Sequence, residues 1–280
     1  MKGLERFFSE FTQYCRDRDT SRIMNLNVDG DISGWGLFEE DIYTSRDTLH
    51  AASDERNRVV KTAEVIQHPV LVFGDDLTCC LVTEMDLTQH LYTGGTREVK
   101  GIRTSWFLEW VDDDWKIRHG HTSFPVSSAD IVQRPLSRLE RYGSESTEVD
   151  AVCSWLKKRT EAIRSEDVEG ILSQITDDQG SLFFGVCKGE EARSVDECRD
   201  WYKKMFNEFS LDTEYVTPIV FLSSEYACLS CHGTTIATHK ETGKTHTLQP
   251  VRSTFFLQNV KGEWLCRHGH YSLPLLPESI

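Results

Sequence analysis

Two short stretches of this sequence set ionisable side chains at spacings that suit chemistry: His119-Gly-His121 and, 149 residues later, His268-Gly-His270. On an extended strand, residues two apart share a face and stand about 7 Å apart. Two imidazoles so placed can grip a polar ligand from two points. They can also supply two ligands of a metal, which wants a third; His232, His239 and His246 are the histidines at hand for that in the second stretch. A third use is structural, each imidazole bonding a backbone group or a carboxylate and holding the end of a sheet. Arg103 and Arg252 open the strands that precede these motifs. Facing inward, each needs a carboxylate or an anionic ligand, because an unpaired buried charge is costly. At an exposed strand edge they need neither.

Carboxylates able to serve a histidine as partner are Asp29, Asp31, Glu39, Glu40 and Asp41 in the first half, and Asp177, Asp178, Glu190 and Glu191 in the second. A buried imidazole–carboxylate pair tunes a general base toward neutral pH; solvated loop acids are the alternative use. Cys228-Leu-Ser-Cys231-His232 spells a haem-attachment pattern. It sits in a strand-like stretch, where residues three apart face opposite sides and cannot both bond one macrocycle. No phosphate loop, nucleophile elbow or paired zinc motif occurs, so neither cofactor nor metal is expected.

The elements that must carry these residues come twice. Residues 103–125 and 252–274 align without a gap at 11 identical positions of 23. Weaker matches extend upstream, Trp35-Gly36 on Phe184-Gly185 and Ser45 on Ser194. The chain therefore reads as a domain over 1–126, a connector over 127–148 with a short helix near Leu136–Arg141, and a second domain over 149–280. Leu4, Phe7, Phe8, Phe11 and Cys15 recur at helical spacing, as do Val152, Trp155, Leu156 and Ile163. A second helix follows in each copy, then a short strand at Trp35 or Phe183-Phe184. A third helix is expected from about 46 to 64 and from 195 to 209, with Ser45 and Ser194 as N-caps. Period two then sets in, with strands at about 67–74, 78–92, 100–111 and 114–123 and their counterparts. Helices followed by a meander predict an α+β unit with helices over one face of an antiparallel sheet. Simple alternation puts Trp115, Ile117, His119, His121 and Ser123 on one face, the helix-covered one.

This order of elements, closed by Trp115, His119, His121, Ser123 and Pro125 and again by Trp264, His268, His270, Ser272 and Pro274, resembles the SnoaL-like branch of the nuclear-transport-factor-2-like superfamily. The resemblance implies two tandem cone-shaped units, each of three helices packed on a strongly bent antiparallel sheet around a pocket. It implies a pocket lined by His119, His121, Arg103 and Trp35 in one copy and by His268, His270, Arg252 and Phe184 in the other. It also favours an acid shortly after the short strand, Asp41 or Glu190, as the partner of His121 or His270 in an enzyme. The superfamily holds isomerases, dehydratases, cyclases and hydrolases, and also sensor and assembly domains. Many single-copy relatives pair through the sheet. That leads to the expectation of an internal pseudo-dimer of the two copies, further oligomerisation being possible. If Arg103 and Arg252 face inward, Trp106, Leu108, Trp110, Phe255 and Leu257 face outward and can form its seam.

Composition narrows the partners. With 31 Lys and Arg against 45 Asp and Glu, the net charge is −14, which repels nucleic-acid backbones. No run of 18 apolar residues occurs, so no membrane helix is expected. The first residues lack an apolar signal core and the nine cysteines are an odd number, which points to reduced thiols and a cytoplasmic setting. Small-molecule binding or sensing in each copy is the leading expectation. A metal-independent lyase or isomerase is the alternative, and a non-catalytic assembly module the third.

Overall fold

A computed structural model describes residues 1–38, 40–126, 147–176, 180–216 and 218–275. The proposed connector helix, Glu39, Asp177 and Asp178 lie outside the described residues. The chain forms two compact units, one of Met1–Phe124 together with Pro274–Ile280, the other of Pro125–Leu273.

In unit one, α1 (Leu4–Asp17) and α2 (Thr20–Asn25) precede the short strands β1 (Ser33–Trp35) and β2 (Ile42–Tyr43). Helix α3 (Arg46–Val59) leads into β3 (Val60–Gly74), β4 (Thr78–Leu91), β5 (Thr96–Val111) and β6 (Asp114–Ser123). The sheet order is β2-β1-β6-β5-β4-β3, antiparallel except where β1 runs parallel to β6. Unit two repeats this with α4 (Thr147–Arg164), α5 (Val168–Leu172), β7 (Leu182–Phe184), β8 (Glu191–Ala192), α6 (Val195–Glu208), β9 (Phe209–Tyr215), β10 (Ile219–Leu222), β11 (Tyr226–His239), β12 (Thr245–Val260) and β13 (Glu263–Ser272). Both units are α+β, as expected. No described helix is long and apolar enough to cross a membrane.

Local sequence explains the element ends. Ser45 accepts the Thr48 amide while Thr48 reaches back, a complete capping box, and Ser194 accepts the Glu197 amide. Asp19 and Asp167 cap α2 and α5 in the same manner. Helix α3 stops at Val59, earlier than its expected end near 64, and β3 begins at the next residue. Val59, Val60 and Thr62 are β-branched and favour the extended chain. The shared proline acts differently in the two copies: β3 carries a register irregularity between Pro69 and Leu71, whereas Pro218 falls between β9 and β10.

One face of each sheet packs on its own helices. Phe7 and Phe11 of α1 meet Trp106 edge-on at centroid distances of 5.5 and 5.0 Å, in a core with Leu81, Leu108, Trp115 and Ile117. Trp155 of α4 meets Phe255 at 5.1 Å, in a core with Leu229, Leu257 and Cys266. Burying each such side chain contributes about 1.5–3 kcal/mol. Trp106, Leu108, Phe255 and Leu257 thus face their own helices, and Trp110 packs on Trp115 at 5.1 Å. Expected to face outward, each of these residues instead packs within the core of its own unit.

The histidines are also on the other side from the one expected. Leu108 pairs with Ile117, but Phe107 pairs with His119, so β6 holds one extra residue, Arg118. In unit two Leu257 pairs with Cys266 and Phe256 with His268, leaving Arg267 extra. A bulge of this kind reverses the alternation beyond it. Trp115 and Ile117 face the helices; His119, His121 and Ser123 lie opposite Phe107, Ser105 and Arg103 on the far face. Arg118 fixes the bulge with two bonds to Glu109, 2.8 and 2.6 Å, and one to the Asp31 carbonyl, 2.7 Å. Arg267 bonds Gln258 at 3.2 Å from the matching place.

The caps yield the first prediction. Ser45→Ala and Ser194→Ala should each lower stability by about 1 kcal/mol, each in its own unit, as measured by urea unfolding. Unchanged transitions would remove the caps as determinants of α3 and α6.

Candidate functional site

Two groups of side chains arise from this reversal, one on each face of each sheet. On the face away from the helices, Ser33 and Trp35 of β1 lie in register with His119 and His121 of β6. Imidazole Nδ1 of His119 and the Ser33 hydroxyl are 2.7 Å apart, fully buried. In unit two His268 donates from Nδ1 to the Leu182 carbonyl at 2.8 Å. Phe184 sets its ring edge-on to His268 at 5.7 Å and to His270 at 5.4 Å, and the two imidazoles are 6.0 Å apart. Arg103 lies opposite Ser123 and Glu84, and Arg252 opposite Ser272 and His232. Both arginines are buried, Arg252 to 1 % exposure, so neither is an exposed edge residue.

The structure therefore gathers Arg103, His119, His121 and Trp35 on one face, and Arg252, His268, His270 and Phe184 on its counterpart. Burial pushes His119 and His268 down to about 3, against a weaker upward pull of the Leu182 carbonyl on His268. Both are neutral at pH 7, and their Nδ1 atoms already hold structural partners.

The expected acids lie elsewhere. Asp41 accepts the Phe38 amide at 3.2 Å and stands 3.7 Å from the Arg56 guanidinium. Glu190 accepts the Cys187 amide at 2.8 Å. Asp41 belongs with Tyr43, whose ring covers Gly34 on the helix side: a Cβ on Gly34 would fall 2.0 Å from Tyr43 Cζ. Burial, with smaller effects of Arg56 and Asp41, takes the Tyr43 phenol up to about 12. Tyr14 and Ser53 share a hydrogen bond of 3.3 Å in the same interior. Cys15 is a protonated thiol there, driven up to about 12 by burial.

The interior of unit two is built around Arg159 of α4. Its Nη2 donates to Tyr202 at 2.7 Å and its Nε to Tyr271 at 3.2 Å. The rings of Trp155, Phe255, Phe183 and Tyr202 surround the guanidinium carbon at 5.6–5.8 Å. Burial disfavours the charge, the two tyrosine oxygens that accept from it favour it, and Arg159 stays protonated. Burial raises Tyr202 and Tyr271, so both remain hydroxyls. Cys198 and Cys266, up to about 12 by burial, are not thiolate nucleophiles.

Sequence reasoning missed Arg56, Arg159, Tyr14, Tyr202 and Tyr271. The signal for Arg159 is its spacing: Val152, Trp155, Leu156, Arg159 and Ile163 form one helical stripe. The glycine of each His-Gly-His motif carries a signal too. A Cβ at Gly120 would stand 2.9 Å from the Tyr43 hydroxyl, and one at Gly269 2.7 Å from the Phe183 ring. These glycines face the crowded interior while the histidines face away. Among the described residues, no group of three or more His, Cys, Asp or Glu is placed to hold a metal ion. In the Cys228–His232 pattern, Cys228 pairs with Phe256 on the far face and Cys231 joins the helix-side core.

Residues 4–127 and, separately, 152–276 match the family model described as a SnoaL-like domain. No curated protein matches the chain. Solved structures with a similar fold include a ketosteroid isomerase-like protein from Erwinia carotovora atroseptica, at 18 % identity and TM-score 0.40, over 46 % of this chain and 97 % of that one. A nuclear transport factor 2-like superfamily protein from Salmonella enterica serovar Typhimurium aligns at 14 % identity and TM-score 0.42, over 47 % and 96 %. An NTF-2-like protein of unknown function from Shewanella oneidensis aligns at 18 % identity and TM-score 0.36, over 45 % and 100 %.

The depressed histidines predict acid sensitivity with a definite sign. Folded His119 and His268 titrate near 3 and unfolded histidine near 6.5. Between these values the unfolded chain binds protons that the folded chain refuses. Stability is complete above about pH 6.5 and falls as pH drops toward 3, by about 1.4 kcal/mol per pH unit for each histidine. His268→Asn retains a donor near Nδ1 without titrating. Its unit should lose that much of the slope in urea unfolding between pH 6 and 4; an unchanged slope would contradict neutral burial.

Proposed function

Since this chain belongs to the SnoaL-like domain family in both of its halves, we propose that it binds small molecules in the helix-covered interior of each unit. The observation that carries this reading is Arg159, fully buried between the Tyr202 and Tyr271 hydroxyls of unit two, where a core built only for stability would be apolar. In unit one the partly exposed Arg56 stands beside Asp41 and near Tyr14 and Tyr43. Buried polar and charged groups cost stability unless they are well paired, and binding sites tolerate that cost. The arginines come from unrelated positions, Arg56 on α3 and Arg159 on α4. That difference supports two distinct ligands rather than one ligand bound twice.

The histidine pairs support framework more than ligand contact, since they lie on the opposite face from these interiors. The enzyme alternative rests on unit one, where Asp41 stands with Tyr43 and Arg56. A carboxylate there has the elements of a proton-transfer site without a histidine. An assembly role alone would let both interiors become apolar.

Native mass spectrometry of the purified full chain, followed by calorimetry with what co-purifies, tests the reading. Small molecules held by the folded chain and returned chemically unchanged are the expected result, with Asp41→Asn keeping affinity within about threefold. Turnover that Asp41→Asn abolishes while affinity persists would establish the enzyme instead. A chain that carries nothing, and binds neither neutral nor charged members of a fragment panel, would refute binding altogether.

A further inference from the structure

Arg159 is a fully buried guanidinium whose hydrogen-bond partners are uncharged hydroxyls and whose surroundings are rings. It is 0 % exposed, and no carboxylate among the described residues forms an ion pair with it. Two of its three nitrogens are used, Nε on Tyr271 and Nη2 on Tyr202; Nη1 is buried with no hydrogen-bond partner. Such a donor is rare in folded proteins because its loss of water goes uncompensated. The rings of Trp155, Phe183, Tyr202 and Phe255 offset part of the charge through their faces, but they give Nη1 no oxygen or nitrogen acceptor. Arg118, by contrast, spends its fork on both oxygens of Glu109.

We propose that Arg159 makes the interior of unit two selective for small molecules carrying a single carboxylate on an apolar, ring-bearing body. This rests on the reading of the interior as a binding site and names what that site takes. One ligand oxygen accepts from Nη1. The second takes a hydroxyl hydrogen from Tyr202 or Tyr271, which stay protonated and can turn from each other toward the ligand. The surrounding rings accept an apolar body and stack on an aromatic one. One spare guanidinium nitrogen and two hydroxyls match the acceptors of a carboxylate; inorganic phosphate, with four oxygens and as the dianion twice the charge, would leave acceptors unserved. Unit one does not share this preference, because its Arg56 already has Asp41 at 3.7 Å.

The test compares phenylacetate, its uncharged isostere phenylacetamide and inorganic phosphate on the full chain, by calorimetry and thermal shift. Phenylacetate should bind at least tenfold more tightly than phenylacetamide, and phosphate should bind weakly. Arg159→Met should abolish that preference without lowering the melting temperature of the empty protein, since it removes a buried charge that has no counterion. Tyr202→Phe provides a second variant with one donor fewer and should narrow the preference severalfold. If phenylacetamide binds as well as phenylacetate, carboxylate selectivity is wrong while the binding reading stands. If Arg159→Met unfolds, the preference of the wild-type chain and its narrowing in Tyr202→Phe decide the matter, and a preference untouched by Tyr202→Phe counts against the site. If none of the probes binds, the proposal fails, and the wider fragment panel shows whether the binding reading fails with it.

Discussion

A single surplus residue in the last strand of each unit governs how the rest is laid out. Up to Ile117 and Cys266 the strand alternates with the helices on one side. Arg118 and Arg267 then take up one position without a cross-strand partner, and every later side chain changes face. The His-Gly-His motif follows directly. Its glycines come under Tyr43 or Phe183, where no side chain fits, and its histidines turn to the other face, to be tied down by the short parallel strand. The hydrogen bonds of Arg118 and Arg267 to Glu109 and Gln258 keep the extra residue in place.

Much of the architecture is legible from residues alone. The repeat, the helices with their serine caps and the change to period two all express local rules that act over a few positions, and the structure follows them. The faces of the last strand were not legible. Alternation carried from Trp115 to His121 is sound only while nothing interrupts it, and a one-residue bulge leaves the residue types of a strand unchanged. Arg159 was hidden for another reason. Beside Lys157 and Lys158 it reads as part of a solvated basic run, whereas its spacing from Val152, Trp155 and Ile163 places it inward. Adjacency along the chain and adjacency on a helix gave different answers, and the helix decided. Asp41 and Glu190 do lie just past the short strands, but each bonds the loop that carries it, through the Phe38 and Cys187 amides.

The two interiors solve the same problem with different materials. Unit one pairs its arginine with a carboxylate and sets a tyrosine–serine bond beside them. Unit two sets its arginine within four rings and between two phenols. Burial keeps Cys15 and Tyr43 of unit one and Cys198 and Tyr202 of unit two protonated, so these groups present thiols and hydroxyls beside the guanidinium charge.

The origin of the two arginines limits how far the copies are interchangeable. Arg56 belongs to the third helix of its unit and Arg159 to the first helix of its own, with Phe11 and Met205 at the matching places in the repeat. Grafting α4 in place of α1 would bring both guanidiniums into unit one, with one carboxylate to share, and the reverse graft would leave unit two with no interior cation. Chimeras that respect the repeat boundaries would therefore preserve the backbone pattern while doubling the charge of one interior and emptying the other. In this chain, what the two halves share is a framework, and the charge each encloses is private to it.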